Sequence, residues 1–461
     1  MDHMPMPTLT CFNADDIHGK IGEEISEDIA YRIGRAFGEY YASRSVSIAC
    51  DIRLTSEALN QAVPSGLRDS GSDVIDIGLC GIEGIYFAVF HLNVDDGIEI
   101  TASHNPQDYN GMKLVQGCAR PISRDSDLTI LQHLAENNAF SSLQMPGSLV
   151  HDALLNAYAN YLLDYVDSTA MRPLRLVVNA GNGVVGHLID ALNARFQADQ
   201  VPCTFSKIHN RQDGTFPHVA PNTLLLGNQA DTASTVFNTG TDIDITLGDN
   251  CNRCFFFDAN CRFIDDYYIL GVLAWALLCK HPGSKIMHSQ CYTWNTIEIL
   301  QRASGAISQR RTDHVFIMEM IRQKHTIYGG EIISPHYFRD FGYCNSGMIP
   351  WLRLIDLMSL AGRSLLDMVD ERMAAYPCSE KINYSVAPNE ATLERVFDRF
   401  APQPTAVDHA DGLSLGFDDW RFNLRAPNTE PFLRLNVESR CSPGLVDRQI
   451  HFLSQPICAK E

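Results

Sequence analysis

Apolar and polar positions alternate between a helical period and short apolar runs along the whole chain, with no heptads and no low-complexity tract. Residues 26–41 carry the pattern of an amphipathic helix, and the run Val46-Ser-Ile-Ala-Cys50 follows it as a strand. Residues 74–78 and 97–101 are further strand candidates. Strands that alternate with helices predict α/β units around largely parallel sheets. Residues 143–149 read as a linker, and a helix restarts over 154–166. A second unit begins at Leu174-Arg-Leu-Val-Val-Asn-Ala-Gly-Asn-Gly183, where a strand runs into a Gly-rich turn ahead of a helix. A third starts near Phe255, followed by a continuously apolar helix over 267–279. After Ala374-Ala-Tyr-Pro-Cys378 the composition shifts again, and a smaller α+β domain is expected to finish the chain.

At 461 residues the chain is too long for one core, and several domains are expected. Hydrophobic residues make up 45% and charged residues 20%, an ordinary globular balance. A formal net charge of −19 argues against binding nucleic acid or an anionic membrane surface. It would also repel a phosphorylated metabolite at long range, so any phosphate site must be a local cluster of Arg, Lys and backbone N–H groups. The N-terminus lacks a cationic start followed by an apolar core, and the apolar run at 267–279 falls short of the roughly 20 residues a membrane span needs. A cytoplasmic location is therefore expected. The fourteen cysteines lack a disulfide-scaffold spacing and read as reduced. The one close pair, Cys251 and Cys254, has no matching second pair to complete a zinc or redox site.

The sharpest local chemistry lies at Thr101-Ala-Ser-His-Asn-Pro106, followed by Asp108-Tyr-Asn-Gly-Met-Lys113. A strand ends, a serine sits at the turn, and Pro106 holds Asn105 away from helical geometry and could start a following helix. Such a turn can present the Ser103 hydroxyl flanked by His104 and within reach of Lys113. Taken by itself the segment is better read as an ordinary polar strand-to-helix turn.

These residues resemble the phosphoserine loop of the α-D-phosphohexomutase family. Further blocks match in the family's order: Asp51-Ile-Arg-Leu-Thr-Ser56, Asn179-Ala-Gly-Asn-Gly183, Asp213-Gly-Thr-Phe-Pro217, His336-Tyr-Phe-Arg-Asp-Phe341, Ser346-Gly-Met-Ile-Pro350 and Asn428-Thr-Glu-Pro431. The likeness runs from near residue 10 to near 440 and is greatest to the bacterial phosphomannomutase branch. It implies four domains around a central cleft: 1–148 with the phosphoserine loop, 149–254 with a metal loop, 255–368 with a sugar-binding loop and 369–461 with a phosphate-binding loop. It implies Mg²⁺ as cofactor and a hexose phosphate as substrate. Ser103 would carry the transferable phosphoryl group, with His104 and Lys113 beside it. Arg253, His314, Glu331, Arg425, Asn428 and Thr429 would bind sugar and phosphate.

The pattern breaks in all four loops. The family's metal loop, D-G-D-x-D-R, reads Gly248-Asp249-Asn250-Cys251-Asn252-Arg253, so the three carboxylates that would join Ser103 at the metal become Gly248, Asn250 and Asn252. Mg²⁺ prefers anionic oxygen in octahedral geometry, and weak or absent binding is expected. His18 stands where the family has an arginine, a titrating imidazole for a permanent charge. The sugar loop keeps Glu331 but carries Ile333 and Pro335 in place of a serine and a histidine. Cys291 and Met318 replace basic residues, and Pro427 removes a hydroxyl and a backbone N–H at the phosphate loop. Two readings follow: an impaired enzyme interconverting mannose 6-phosphate and mannose 1-phosphate, or an inactive relative that binds a phosphosugar or a partner.

Overall fold

The computed structural model describes residues 8–123, 126–141, 145–218, 230–248, 250–289, 291–303, 305–310, 314–330, 335–386, 390–400, 403–426 and 432–459. The chain divides into two compact units, one formed by residues 1–263 with 335–361, the other by 264–334 with 362–461.

The first unit holds two α/β sheets. In the first sheet, Ser45–Cys50 lies between Asp73–Leu79 and Asp96–Ile100, parallel to both. Tyr109–Gln116 then runs antiparallel to Asp96–Ile100, and Ile17–Lys20 antiparallel to Tyr109–Gln116. The helix Glu27–Tyr41 starts at Ser26, whose side chain accepts from the Ile29 N–H, and buries Ile33, Ala36 and Phe37 in the core. Asp96–Ile100 is buried at every position, as expected for an interior strand with both faces covered.

In the second sheet, Leu174–Asn179 is parallel to Cys203–Ile208 and to Ile243–Leu247. Cys254–Phe257, expected to open a third unit, instead pairs antiparallel with Ile243–Leu247 and extends this second sheet. Two buried apolar strands joined by a six-residue turn form a hairpin more readily than they part into separate sheets. Residues 335–361 add the short hairpin of His336–Phe338 and Cys344–Asn345 and the buried helix Met348–Ala361.

The second unit contains the parallel strands Lys285–Ser289, Ala306–Arg310 and Tyr328–Gly330, with the buried helix Asp266–Lys280 and the helix Trp294–Arg302. It ends in an antiparallel sheet of Ile382–Tyr384, Leu433–Ser439, Trp420–Arg425, Leu413–Gly416 and Ala406–Asp408. Leu413, Leu415, Phe422, Leu424, Leu433 and Leu435 form its apolar face, packed with Val446, Leu453 and Ile457 of the helix Pro443–Cys458. Its other face is polar, and there buried Glu438 accepts from Tyr267, Arg421 and the Thr293 N–H. Arg421 balances the charge, and the Thr293 N–H ties the sheet to the start of the helix Trp294–Arg302. No helix among the described residues is long and apolar enough to cross a membrane.

Candidate functional site

Ser103 sits three residues past the end of Asp96–Ile100, 6% exposed, in a left-handed conformation with φ 51°. For a non-glycine residue that costs about 1–2 kcal/mol, so the surroundings must impose it. They do so from both sides of the peptide. The Ser103 N–H donates to Thr101 Oγ1 at 2.9 Å, and Thr101 Oγ1 donates to Asp51 Oδ2 at 2.7 Å. The Ser103 carbonyl accepts from Arg53 Nη2 at 2.5 Å. The same guanidinium reaches the carbonyls of Asn105, Pro106 and Tyr109 at 2.7, 2.7 and 3.0 Å, so one buried cation ties together four carbonyls of the turn. Burial pushes the Asp51 carboxyl above its usual range, although Arg53, Ser56 and Thr101 all favour its charge. After the turn the chain enters the strand Tyr109–Gln116. The expected helix after Pro106 is absent, because Arg53 holds the carbonyls that a helix would need.

The second domain's segment 209–218 covers this turn. Gln107 Nε2 donates to the Gly214 carbonyl at 3.2 Å, and the Phe216 ring centre lies 5.8 Å from the Arg53 guanidinium carbon. A side chain at Gly214 would meet the Ile52 carbonyl oxygen at 2.2 Å, so only glycine permits that approach.

Ser103 Oγ lies 3.3 Å from His104 Nδ1 and accepts from Asn250 Nδ2 at 2.9 Å. Burial, then the positive fields of Arg253 and Lys113, pushes His104 down to about 4, so near neutral pH the imidazole is uncharged. Lys113 also acts on Asp16, whose Oδ1 lies 2.7 Å from His18 Nδ1. Burial opposes the Asp16 charge, but the His18 hydrogen bond and the Lys113 field outweigh it and hold the carboxyl below its usual range. Ser103, His104, Lys113, Arg253 and Asn250, picked out in the sequence, thus meet in one place, with the Asp16–His18 pair alongside.

The turn of residues 248–253 closes a hairpin. Gly248 N–H donates to the Arg253 carbonyl at 2.9 Å, and Cys251 N–H to the Gly248 carbonyl at 3.1 Å. Outside holds fix its position. Gly347 N–H donates to the Cys251 carbonyl at 2.9 Å, and Asn345 Nδ2 to the Asn252 carbonyl at 3.4 Å. Gly347 N–H also reaches the carboxylate of Glu83, which is fully buried and accepts from Ser346 Oγ at 2.8 Å and Tyr158 Oη at 2.5 Å. Motif reading passed over Glu83 altogether and, although it picked out the block that contains Arg53, did not foresee what that side chain holds. A lone carboxylate in the otherwise apolar helix Ile82–His91 was the available signal for Glu83.

The residues described in this turn do not fit Mg²⁺. Gly248 offers no side-chain donor, and Asn250 and Asn252 offer neutral carboxamides. The Asn250 amide turns a hydrogen-bearing nitrogen toward the very oxygen a cation would share with the loop. Asp249 lies outside the described residues. Among the described residues no group of three His, Cys, Asp or Glu side chains converges on a point suited to a metal.

The remaining candidates belong to the second unit. Arg425 ends the strand Trp420–Arg425 opposite Arg434 and lies 3.2 Å from Asp411 Oδ2. His314 begins the helix His314–Gln323. Glu331, Asn428 and Thr429 lie outside the described residues.

Successive α/β sheets, a final antiparallel sheet and a strand-end serine held among cationic side chains define the phosphohexomutase class. The chain belongs to the phosphoglucomutase/phosphomannomutase family, whose alpha/beta/alpha domains I, II and III match residues 10–140, 156–261 and 265–376. It is 52% identical over 450 residues to the phosphomannomutase of Salmonella typhimurium, covering 97% of this chain and 99% of that protein. Identity to the phosphomannomutase of Escherichia coli K12 is 48%, with the same coverage. A solved phosphoglucomutase/phosphomannomutase family protein from Burkholderia thailandensis superposes with a TM-score of 0.84 at 26% identity, covering 98% of each chain.

Proposed function

We propose that the protein acts on a hexose phosphate through Ser103, interconverting mannose 6-phosphate and mannose 1-phosphate, at a rate far below that of a competent mutase. In this reading the phosphoryl group passes from Ser103 Oγ to a free sugar hydroxyl. The other phosphoryl group of the resulting bisphosphate then returns to Ser103. Such transfer asks the protein mainly for positioning and charge neutralisation. Lys113 and Arg253 supply local positive charge against a net-negative protein, and Arg425, Asn428 and Thr429 would hold the phosphate that does not react. His314 and Glu331 would contact the sugar. The product would feed GDP-mannose synthesis in the cytoplasm. The observation that carries the reading is the Ser103 hydroxyl, held in a strained backbone among His104, Lys113 and Arg253. The names of relatives about half identical along nearly the whole chain support it.

The rate deficit rests on the loops. Neutral side chains at the metal turn should leave Mg²⁺ weakly bound. Loss of the metal's charge and of one phosphate donor predicts turnover at least about a thousandfold below a competent enzyme. The same Asn250–Ser103 contact favours a second reading, a phosphosugar-binding protein without turnover. An assay on mannose 1-phosphate and glucose 1-phosphate, paired with intact mass for phosphoserine, decides between them. Turnover at tens per second, an ordinary enzyme rate, would remove both the deficit and the second reading. Binding without turnover or phosphoserine would leave only the second.

A further inference from the structure

On the reading of Ser103 as phosphoryl carrier, we propose that the Asn250 carboxamide takes over the cation's place at Ser103 Oγ, so that the phosphoserine forms and persists without a divalent metal. Three observations carry this. First, the contact is direct: Asn250 Nδ2 donates to Ser103 Oγ at 2.9 Å, across 147 residues of chain. Both residues are buried, at 2% and 6% exposure, so the amide does not trade this partner for bulk water. Second, the donor is fixed in advance. A Cβ on Gly81 would meet the Asn250 carbonyl oxygen at 2.2 Å, so the first domain's backbone presses against the turn at this residue. On the far side Gly347 N–H holds the Cys251 carbonyl, and buried Glu83 holds Gly347 in turn. A donor set before reaction stabilises developing negative charge without the cost of reorienting.

Third, the chemistry of the amide is the opposite of a ligand's. Its N–H hydrogens carry positive charge toward Oγ, where they attract the ester oxygen of a phosphoserine and repel a cation. A carboxamide cannot supply the metal's full charge. The rest falls to Lys113 and Arg253, whose fields both reach His104 beside Oγ. In the charging step the phosphoryl group leaves a sugar oxygen of a hexose 1,6-bisphosphate for Ser103 Oγ. The phosphorus–sugar oxygen bond breaks, the phosphorus–Oγ bond forms, and the Ser103 hydroxyl proton ends on the sugar oxygen.

The test loads full-length protein with glucose 1,6-bisphosphate in excess EDTA or in excess Mg²⁺ and follows phosphoserine by intact mass. Wild type should load at the same rate in both. Asn250→Leu, close in shape but without the donor, should load about a hundredfold more slowly, and Mg²⁺ should not rescue it. Asn250→Asp should become cation-responsive, loading poorly in EDTA and better in Mg²⁺. Wild-type loading that collapses in EDTA and returns with Mg²⁺ would overturn the inference. So would Asn250→Leu loading like wild type while keeping the wild-type melting temperature. If Ser103 takes up no phosphoryl group under any condition, the phosphoserine reading itself fails. Titration with Mn²⁺, followed by its spin-resonance signal, then decides the role of Asn250. A tight site in wild type overturns it, and a site present only in Asn250→Asp sustains it.

Discussion

Arg53 Nη2 donates to the carbonyl oxygen of Ser103 at 2.5 Å, and the same side chain, wholly buried, lies 3.3 Å from Asp51 through Nε. The left-handed backbone at Ser103 is thus set by a residue that touches neither Oγ nor the groups around it. Replacing Arg53 with alanine strips four carbonyls of their donor and leaves the Asp51 carboxyl buried without its counter-charge. Breaking a buried pair in this way costs about 3–5 kcal/mol, and the melting temperature should fall accordingly. Arg53→Lys keeps the charge but cannot fork across four acceptors. Its melting temperature should fall less, while amide hydrogen exchange over residues 101–110 rises selectively. Unchanged exchange there in Arg53→Lys would mean that charge alone holds the turn.

The buried Glu83 carboxylate joins Tyr158, Ser346 and the Gly347 N–H, and through Gly347 it braces the turn that bears Asn250. Glu83→Ala leaves several buried donors unpaired, at about 1–3 kcal/mol each. Denaturant unfolding should show a loss of about 3 kcal/mol or more. Glu83→Gln keeps an acceptor oxygen and should cost less than the alanine. Equal losses for the two variants would show that volume, rather than hydrogen bonding, matters at this position.

Acid should destabilise the first unit through His336. Burial alone pushes this fully buried imidazole from 6.5 down to about 3. The unfolded chain therefore binds a proton that the folded protein refuses. Stability is fully present above about pH 6.5 and falls as pH drops toward 3, by up to about 1.4 kcal/mol per pH unit from this one group. In His336→Gln, thermal melts between pH 7 and 5 should show a shallower fall than in wild type. Parallel curves would place the acid sensitivity elsewhere.

Much of this was legible in the sequence, because local physics dictated it. The helix expected over 26–41 is Glu27–Tyr41, since Ser26 caps it and its apolar spacing is helical. The apolar run at 267–279 is the buried helix Asp266–Lys280. Where the reading went astray, the deciding partner was distant. Cys254–Phe257 reads as a strand from its own residues, yet only tertiary pairing says which sheet takes it. Pro106 suits a helix start and a turn equally, and Arg53, more than fifty residues earlier, selects the turn. The role of Arg53 was hidden for the same reason. Its motif could be recognised, but the four carbonyls it serves could not be foreseen from spacing.

Restoring the metal turn tests whether the loop substitutions, rather than the scaffold, limit the rate. The scaffold can accept the side chains. A Cβ on Gly248 would meet nothing closer than the Arg253 Cβ at 3.6 Å, an ordinary contact, and Asn→Asp changes at 250 and 252 conserve volume. The triple variant Gly248→Asp, Asn250→Asp, Asn252→Asp should therefore fold and gain a calorimetrically detectable Mg²⁺ site. Its rate on mannose 1-phosphate should recover only in part, because charge at Oγ is one of several things phosphoryl transfer needs. The triple variant still lacks the fork that His18 replaces, the imidazole that Pro335 displaced and the hydroxyl and N–H that Pro427 removed, groups that would grip the reoriented bisphosphate. Groups that work as a unit give grossly non-additive effects, so His18→Arg, Pro335→His or Pro427→Ser alone should do little in the wild-type background. Added together to the triple variant they should multiply its rate by more than the product of their separate effects. A single reversion that restored most of the activity would show that one loop, and not the set, had been limiting.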